Sequence, residues 1–238
     1  WDTVFIDDSD EPKRKSLGLP DKKTARRQLV HAALKDRSAI SQELVDLAYD
    51  TADAAFRKVW HDQHVTWSVE ERLRVLLDGL GRQLPQAEFD QLIRQHEEME
   101  LEHRPDLVSG VAEALNILAK DYTLVVISDA IFSPGWALRK LLDAYGLLSV
   151  FSGFVFSDEI GCSKPAPEVF QRAAELTGCE LESLVHIGDR EHNDVAGPKA
   201  LGASAVLCTC ALDRGSQQTR ADAVCKDYAD LPDIISNL

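Results

Sequence analysis

Long apolar runs are missing from these 238 residues, and none approaches the about 20 consecutive apolar positions that a membrane-spanning helix needs. The front of the chain also lacks a basic stretch followed by an apolar core and a small-residue cleavage site. No secretory leader is therefore expected, and a cytoplasmic location is. Positive charge is scarce. Lys and Arg total 26 against 40 Asp and Glu, a net charge of −14, which leaves no surplus of cations for a nucleic acid backbone or an anionic membrane. Neither partner is expected. Cysteine is sparse and odd in number: Cys162, Cys179, Cys208, Cys210 and Cys225 fit no disulfide framework and read as reduced, mostly buried thiols. Cys208-Thr-Cys210 has no second ligand pair to make a metal site. Methionine occurs once, at Met99, and the chain opens on Trp1, so a few residues are expected to be lost or renumbered ahead of it. Repeats and low-complexity segments are absent.

The hydrophobic share, 45%, suffices for a real core, and the length permits one large domain or two small ones. "TVFI" at 3–6 is a short β-branched run that predicts a buried strand. "KRKSLGLPDK" at 13–22 is basic and turn-like and reads as a linker. From about 23 to 101 the pattern is helical. Ser68 and Glu71 form a capping box, and Leu73, Leu76, Leu77 and Leu80 share one helix face ahead of Gly81. "HEEMELEH" reads as a solvated acidic face.

Beyond "RPDL" the texture changes. Helices at 110–119, 135–146, 166–177 and 193–201 lead into strands at 122–127, 153–156, 184–187 and 204–208. "DAVC" at 222–225 then precedes a last helix near 228–236. This alternation predicts an α/β fold: a Rossmann-like parallel sheet with helices on both faces, plus an all-helical cap inserted after the first strand. Residues 1–12 and 106–238 would form the core domain and 13–105 the cap.

Ligands of open parallel sheets bind beyond the carboxyl ends of the strands. Those ends carry Asp7, Ser128-Asp129, Ser157-Asp158 with Lys164 a short loop later, and Gly188-Asp189 with Asp194 five residues on. Converging carboxylates need a cation among them, and hard oxygen ligands on loops favour Mg2+. A metal, its carboxylates and a lysine suit a phosphoryl group, and an aspartate aimed at phosphorus can form an aspartyl-phosphate.

The segments "VFIDDSDE", "LVVISDA", "GCSKPAPEVF" and "HIGDREHNDVAGPKALG", in this order, resemble the four motifs of the haloacid dehalogenase-like superfamily. The resemblance implies an Mg2+-dependent phosphatase acting on a small phosphorylated substrate, with the cap setting specificity. It implies Asp7 as nucleophile and metal ligand, Ser128 as a phosphoryl-oxygen donor and Lys164 as the neutralising cation. Asp189 would ligate the metal, Asp194 would support the metal or Lys164, and the Ser9 carbonyl would face the metal. The family's usual first motif is Asp-x-Asp-x-Thr, whose second Asp handles the leaving-group proton. Here Ser9 and Glu11 stand at the second and third places. Slow turnover is one consequence. A shifted register, with Asp8 attacking and Asp10 assisting, is another, but it puts charged Asp7 inside the strand. Asp10 swinging in is a third. Loss of turnover, leaving a binding or regulatory protein, is a fourth. A dehalogenase fits the missing second Asp but not Asp189.

Each of these residues also has a plain structural reading. Asp7, Asp8 and Asp10 suit a turn, Ser128 a turn, and Asp194 a helix cap, while Gly188 suits close packing. His186 reads as a core or supporting histidine and His192 as solvated. His61 and His64 read as an interfacial patch rather than a metal pair, and Trp60 and Trp67 as packing within the helical block.

Overall fold

The computed structural model describes every residue except Asp36 and Ser38. Among the described residues, five strands form two parallel groups. β1 (Val125–Ser128) pairs with β2 (Gly153–Phe156), Val125 lying opposite Gly153 and Ser128 opposite Phe156. β3 (Val185–Gly188) pairs with β4 (Ser204–Cys208), which pairs with β5 (Ala223–Cys225).

Strand side chains alternate faces, and here both faces are covered. Val125, Ile127 and Val155 meet Val169, Phe170 and Ala173 of the helix Pro167–Thr177. Val126, Phe154 and Phe156 point the other way, into a cluster with Val111 and Ala114 of Val111–Leu118, Leu138 and Leu141 of Gly135–Ala144, and Leu231 of Leu231–Ser236. β4 repeats the pattern, with Val206 and Cys208 in that cluster and Ala205 and Leu207 packed on Val195.

The helical block holds Lys22–Lys35, Gln42–Gln63, Val69–Gly79, Gln86–Glu97 and the short Met99–Glu102. It has its own apolar cluster, including Val30, Val45, Leu73, Leu76, Leu77 and Leu92. The capping box forms as expected. Glu71 N–H donates to Ser68 Oγ at 3.2 Å, and Ser68 N–H donates to Glu71 Oε2 at 2.7 Å.

Three expectations need correction. Residues 3–6 are not a strand of the sheet. Phe5 forms a lone antiparallel bridge with Leu107, Ile6 N–H donates to the Asp106 carbonyl at 2.8 Å, and Val108 N–H donates to the Val4 carbonyl at 2.9 Å. The backbone groups a sheet would need are taken by residues 106–108, and Phe5 packs between Trp1 and Tyr145. The linker at 13–22 begins inside a helix, Glu11–Ser16, because Pro12 suits a first turn and Lys13, Arg14 and Lys15 suit a last one. The acidic run is not wholly solvated. His96, Met99 and Glu100 are buried, Glu100 because Lys22 Nζ lies 3.0 Å away and Ser133 Oγ also bonds it.

Between β1 and β3 the two groups of strands part around a cavity of about 770 Å³.

Candidate active site

Apolar strands covered on both faces turn polar only where they leave the sheet, so each carboxyl end offers a functional position. β3 ends at Gly188, next to Asp189. Gly188 is required by contact, since a Cβ there would lie 2.3 Å from Asp194 Cγ. Asp194 sits in a π-helical turn, Glu191–Ala196, and is buried. Its Oδ1 accepts from Lys164 Nζ at 2.6 Å and lies 2.9 Å from His186 Nε2, while its Oδ2 accepts from Arg190 N–H at 3.0 Å. Burial alone would lift the Asp194 carboxyl. Lys164 and His186 outweigh burial and hold it far below the usual carboxylate range. Burial likewise works to lower the Lys164 pKa, but Asp194, Asp129 and Asp189 raise it on balance, so the ammonium stays charged. Asp129 follows β1 and fixes the lysine loop: its Oδ1 accepts from Lys164 N–H at 2.9 Å and its Oδ2 from Asn193 Nδ2 at 3.1 Å.

Asp189 faces a different cation. Arg214 Nε donates to Asp189 Oδ2 at 2.8 Å, and Arg214 Nη2 donates to Asp2 Oδ2 at 2.6 Å. Thr3 Oγ1 donates weakly to Asp189 Oδ1 at 3.5 Å. Asp2 is buried with φ +54°, a left-handed conformation rare outside glycine, and its Oδ1 accepts from Asp7 N–H at 3.0 Å.

Asp7, Ser128, Lys164, Asp189 and Asp194 all line one cavity. Within it they do not form a single cluster. Asp7 lies in an exposed turn after the Phe5 bridge, so it does not cap a sheet strand. Its carboxyl is raised by desolvation and then by Asp8, against the pull of Lys22. Ser9 lies apart from the lysine, its Oγ donating to the Ile6 carbonyl and accepting from Asp106 N–H, each at 2.7 Å. Asp8 pairs with Lys22 at 3.1 Å. Asp10 is fully buried against Lys22 at 2.8 Å, so it is not a side chain that swings in. Asp194 is engaged by Lys164, His186 and the Arg190 N–H.

Among the described residues, no three His, Cys, Asp or Glu side chains are grouped to hold a metal. Mg2+ commonly takes only one or two carboxylates, with water and phosphate oxygens filling the rest. Asp189 with one front-end carboxylate fits that need, and the guanidinium shared by Asp2 and Asp189 marks where positive charge is already required. Sequence reasoning passed over Asp2 and Arg214. Asp2 precedes an apolar run and reads as its flank, and Arg214 lies in a motif-free stretch after β4.

The helical block meets the lysine loop directly. Val65 bridges Cys162, Thr66 N–H donates to the Gly161 carbonyl at 3.2 Å, and Ser163 N–H donates to the His64 carbonyl at 2.8 Å. His64 also stands 6.4 Å from His192, which agrees with an interfacial role, while Trp60 and Trp67 pack on Phe56.

A family model described as haloacid dehalogenase-like hydrolase matches residues 21–202. A glyceraldehyde 3-phosphate phosphatase of Methanothermobacter thermautotrophicus is 34% identical over 98 residues, covering 41% of this chain and 42% of that protein. Pyrophosphatase PpaX of Listeria monocytogenes is 29% identical over 123 residues, covering 50% and 55%. The matches thus take in about half the length of these relatives. Among solved structures, a HAD phosphatase from Thermococcus onnurineus gives a TM-score of 0.62 at 21% identity, covering 90% of this chain and 91% of that one. L-2-haloacid dehalogenase from Xanthobacter autotrophicus gives 0.54 at 14%, covering 90% and 94%. At such identities these two show the shared fold alone. With 182 of 238 residues matched by the family model, and the fold and strand-end residues as described, the chain belongs to the haloacid dehalogenase-like hydrolases.

Proposed function

We propose that this chain is an Mg2+-dependent phosphatase that hydrolyses a small phosphorylated metabolite through an aspartyl-phosphate. The supporting observation is Lys164, a buried and charged ammonium among Asp129, Asp189 and Asp194, in a cavity also lined by Ser128 and Asp7. Such a cation suits phosphoryl oxygens, and the relatives named as phosphatases point the same way. Residues 1–12 and 106–238 act as core and 13–105 as cap in this reading, supported by the separate apolar cluster of the helical block. Five free thiols fit a reducing, cytoplasmic setting.

Asp189 with Asp7 would hold Mg2+, which supplies positive charge over the phosphoryl oxygens when bound. Lys164 and Ser128 bind and orient those oxygens, and Asp194 positions Lys164. An Asp7 oxygen attacks phosphorus and the ester P–O bond breaks. The leaving oxygen takes its proton from the Asp2 carboxyl, whose Oδ1 accepts from Asp7 N–H at 3.0 Å. Water, deprotonated by Asp2, then attacks the phosphorus of the aspartyl-phosphate. That releases inorganic phosphate, restores the Asp7 carboxylate and returns the proton to Asp2.

A panel of phosphate monoesters assayed with Mg2+ tests this. Asp189→Asn and Asp7→Asn should abolish turnover, Asp8→Asn should be tolerated, and Asp2→Asn should slow turnover by roughly 10²–10⁴-fold. Full turnover in Asp7→Asn would remove Asp7 from the mechanism. One observation favours a second reading, a binding or regulatory protein without turnover: Arg214 already neutralises Asp189. Phosphate binding with no turnover of any ester would select it.

A further inference from the structure

We infer that Cys210 and Cys225 form an oxidisable thiol pair, which a low-molecular-weight disulfide converts to an intrachain bridge at the foot of the loop that carries Arg214. The two sulfurs lie 3.7 Å apart, in van der Waals contact. The ends of β4 and β5 bring them there. Cys208 lies opposite Cys225, and Thr209 N–H donates to the Cys225 carbonyl at 2.8 Å, so the pairing runs one residue past β4. Side chains two apart on a strand share a face, so Cys210 falls on the same side as Cys208, against the apolar cluster that also holds Cys225.

The third thiol has another partner. Cys208 Sγ donates to Tyr228 Oη at 3.4 Å, and that hydroxyl donates in turn to the Thr3 carbonyl at 2.5 Å. A metal is not the reason for the grouping, since among the described residues no three such side chains are placed to hold one. Access divides the roles within the pair. Cys225 is fully buried and Cys210 only partly, so an external reagent meets Cys210 first and Cys225 closes the bridge from behind.

The exchange balances in two steps. Cys210 loses its proton and attacks one sulfur of the reagent RS–SR. A Cys210–SR bond forms, the RS–SR bond breaks, and the departing RS⁻ takes up a proton as RSH. Cys225 then loses its proton and attacks the Cys210 sulfur. The Cys210–Cys225 bond forms, the Cys210–SR bond breaks, and a second RSH leaves. Two thiols are oxidised and one disulfide is reduced. Burial and then the Cys208 and Cys225 sulfurs push the Cys210 thiol up, and burial pushes the Cys225 thiol up to about 11. Both therefore stay protonated at neutral pH, and the exchange quickens as pH rises. The bridge ties together both ends of 211–224, the segment from which Arg214 reaches Asp2 and Asp189.

The test incubates the folded full chain with oxidised glutathione, blocks the remaining thiols with N-ethylmaleimide, and maps the peptides of the monomer without reduction. Cys210 and Cys225 should be joined in the unsubstituted chain and in Cys208→Ser. Cys225→Ser should stop at a glutathione adduct on Cys210. The initial rate should gain about 100-fold between about pH 8 and 10, where a thiol with the ordinary pKa of about 8.5 gains only about fourfold. Closing the loop should raise Tm by roughly 6–12 °C, and dithiothreitol should reverse the rise. A bridge that includes Cys208, no bridge at all, or one that forms only in urea would overturn the inference. So would a merely fourfold gain in rate, which marks an ordinary exposed thiol, or a fall in Tm, which marks a bridge the fold does not accept. Turnover is not read, so this result and that of the phosphatase assay stand apart.

Discussion

Replacing Lys164 with Met removes one half of a buried ion pair while keeping an unbranched side chain one heavy atom shorter. Asp194 would keep His186 and the Arg190 N–H but lose the 2.6 Å contact with the ammonium, in a position only 2% exposed. Breaking a buried pair from one side costs about 3–5 kcal/mol, since a charge is left uncompensated. For a chain of this size that is a Tm decrease of about 6–20 °C, at roughly 2–4 °C per kcal/mol. The pH dependence has a definite sign. The Asp194 carboxyl is depressed, so its contribution is whole above its unfolded value of about 3.9 and is lost as pH falls through the folded one. The Lys164 ammonium is raised, so its contribution is whole below about pH 10.4 and is lost as pH rises through the folded value. The gap between the two proteins should thus be widest from about pH 4 to 10. Urea unfolding across that range, with the double variant Lys164→Met/Asp194→Asn as the closing corner of the cycle, measures it. The double variant should recover part of the loss. A single-variant cost below about 1 kcal/mol at pH 7, or strict additivity, would refute the reasoning.

His96 is buried with an unpartnered Nε2, and burial pushes its pKa down to about 4. Its protonation favours the unfolded chain, so stability should fall by about 3 kcal/mol as pH drops from about 6.5 to 4, and His96→Phe should remove that slope in acid unfolding curves. Ser68→Ala removes the hydroxyl half of the capping box, leaving the residue 68 N–H to Glu71 Oε2, and should cost about 1 kcal/mol in urea unfolding, with no change in slope. Arg214→Gln leaves Asp2 and Asp189 without their shared cation, so calorimetry should show Mg2+ binding at least ~10-fold tighter. Unchanged or weaker binding would show that Arg214 does not compete for that position.

Much of the fold was legible because covered parallel strands are almost pure apolar runs. "GFVF" and "SAVLC" become β2 and β4 at the expected residues. The capping box was legible because its chemistry is local. "TVFI" misled for the same reason that the others succeeded: an apolar β-branched run states that it will be buried, not which partner will take its backbone. Lys164, Asp189 and Asp194 line one cavity, Asp189 directly after β3, and their positions could be read from strand ends. Their partners were not all legible. Arg214 reaches Asp189 from 25 positions away, and Asp2 reaches Arg214 across 212, separations that no periodicity encodes. Glu100 was mistaken for a surface residue because its burial depends on Lys22, 78 positions earlier.

The short backbone bridge from His64 and Thr66 to Gly161 and Ser163 ends one residue before Lys164. A swing of the helical block cannot leave those two hydrogen bonds intact without also pulling on the lysine's own chain. In the proposed phosphatase, displacing the helical block and shifting the ammonium would thereby be linked, because only one peptide link separates the bridge from Lys164.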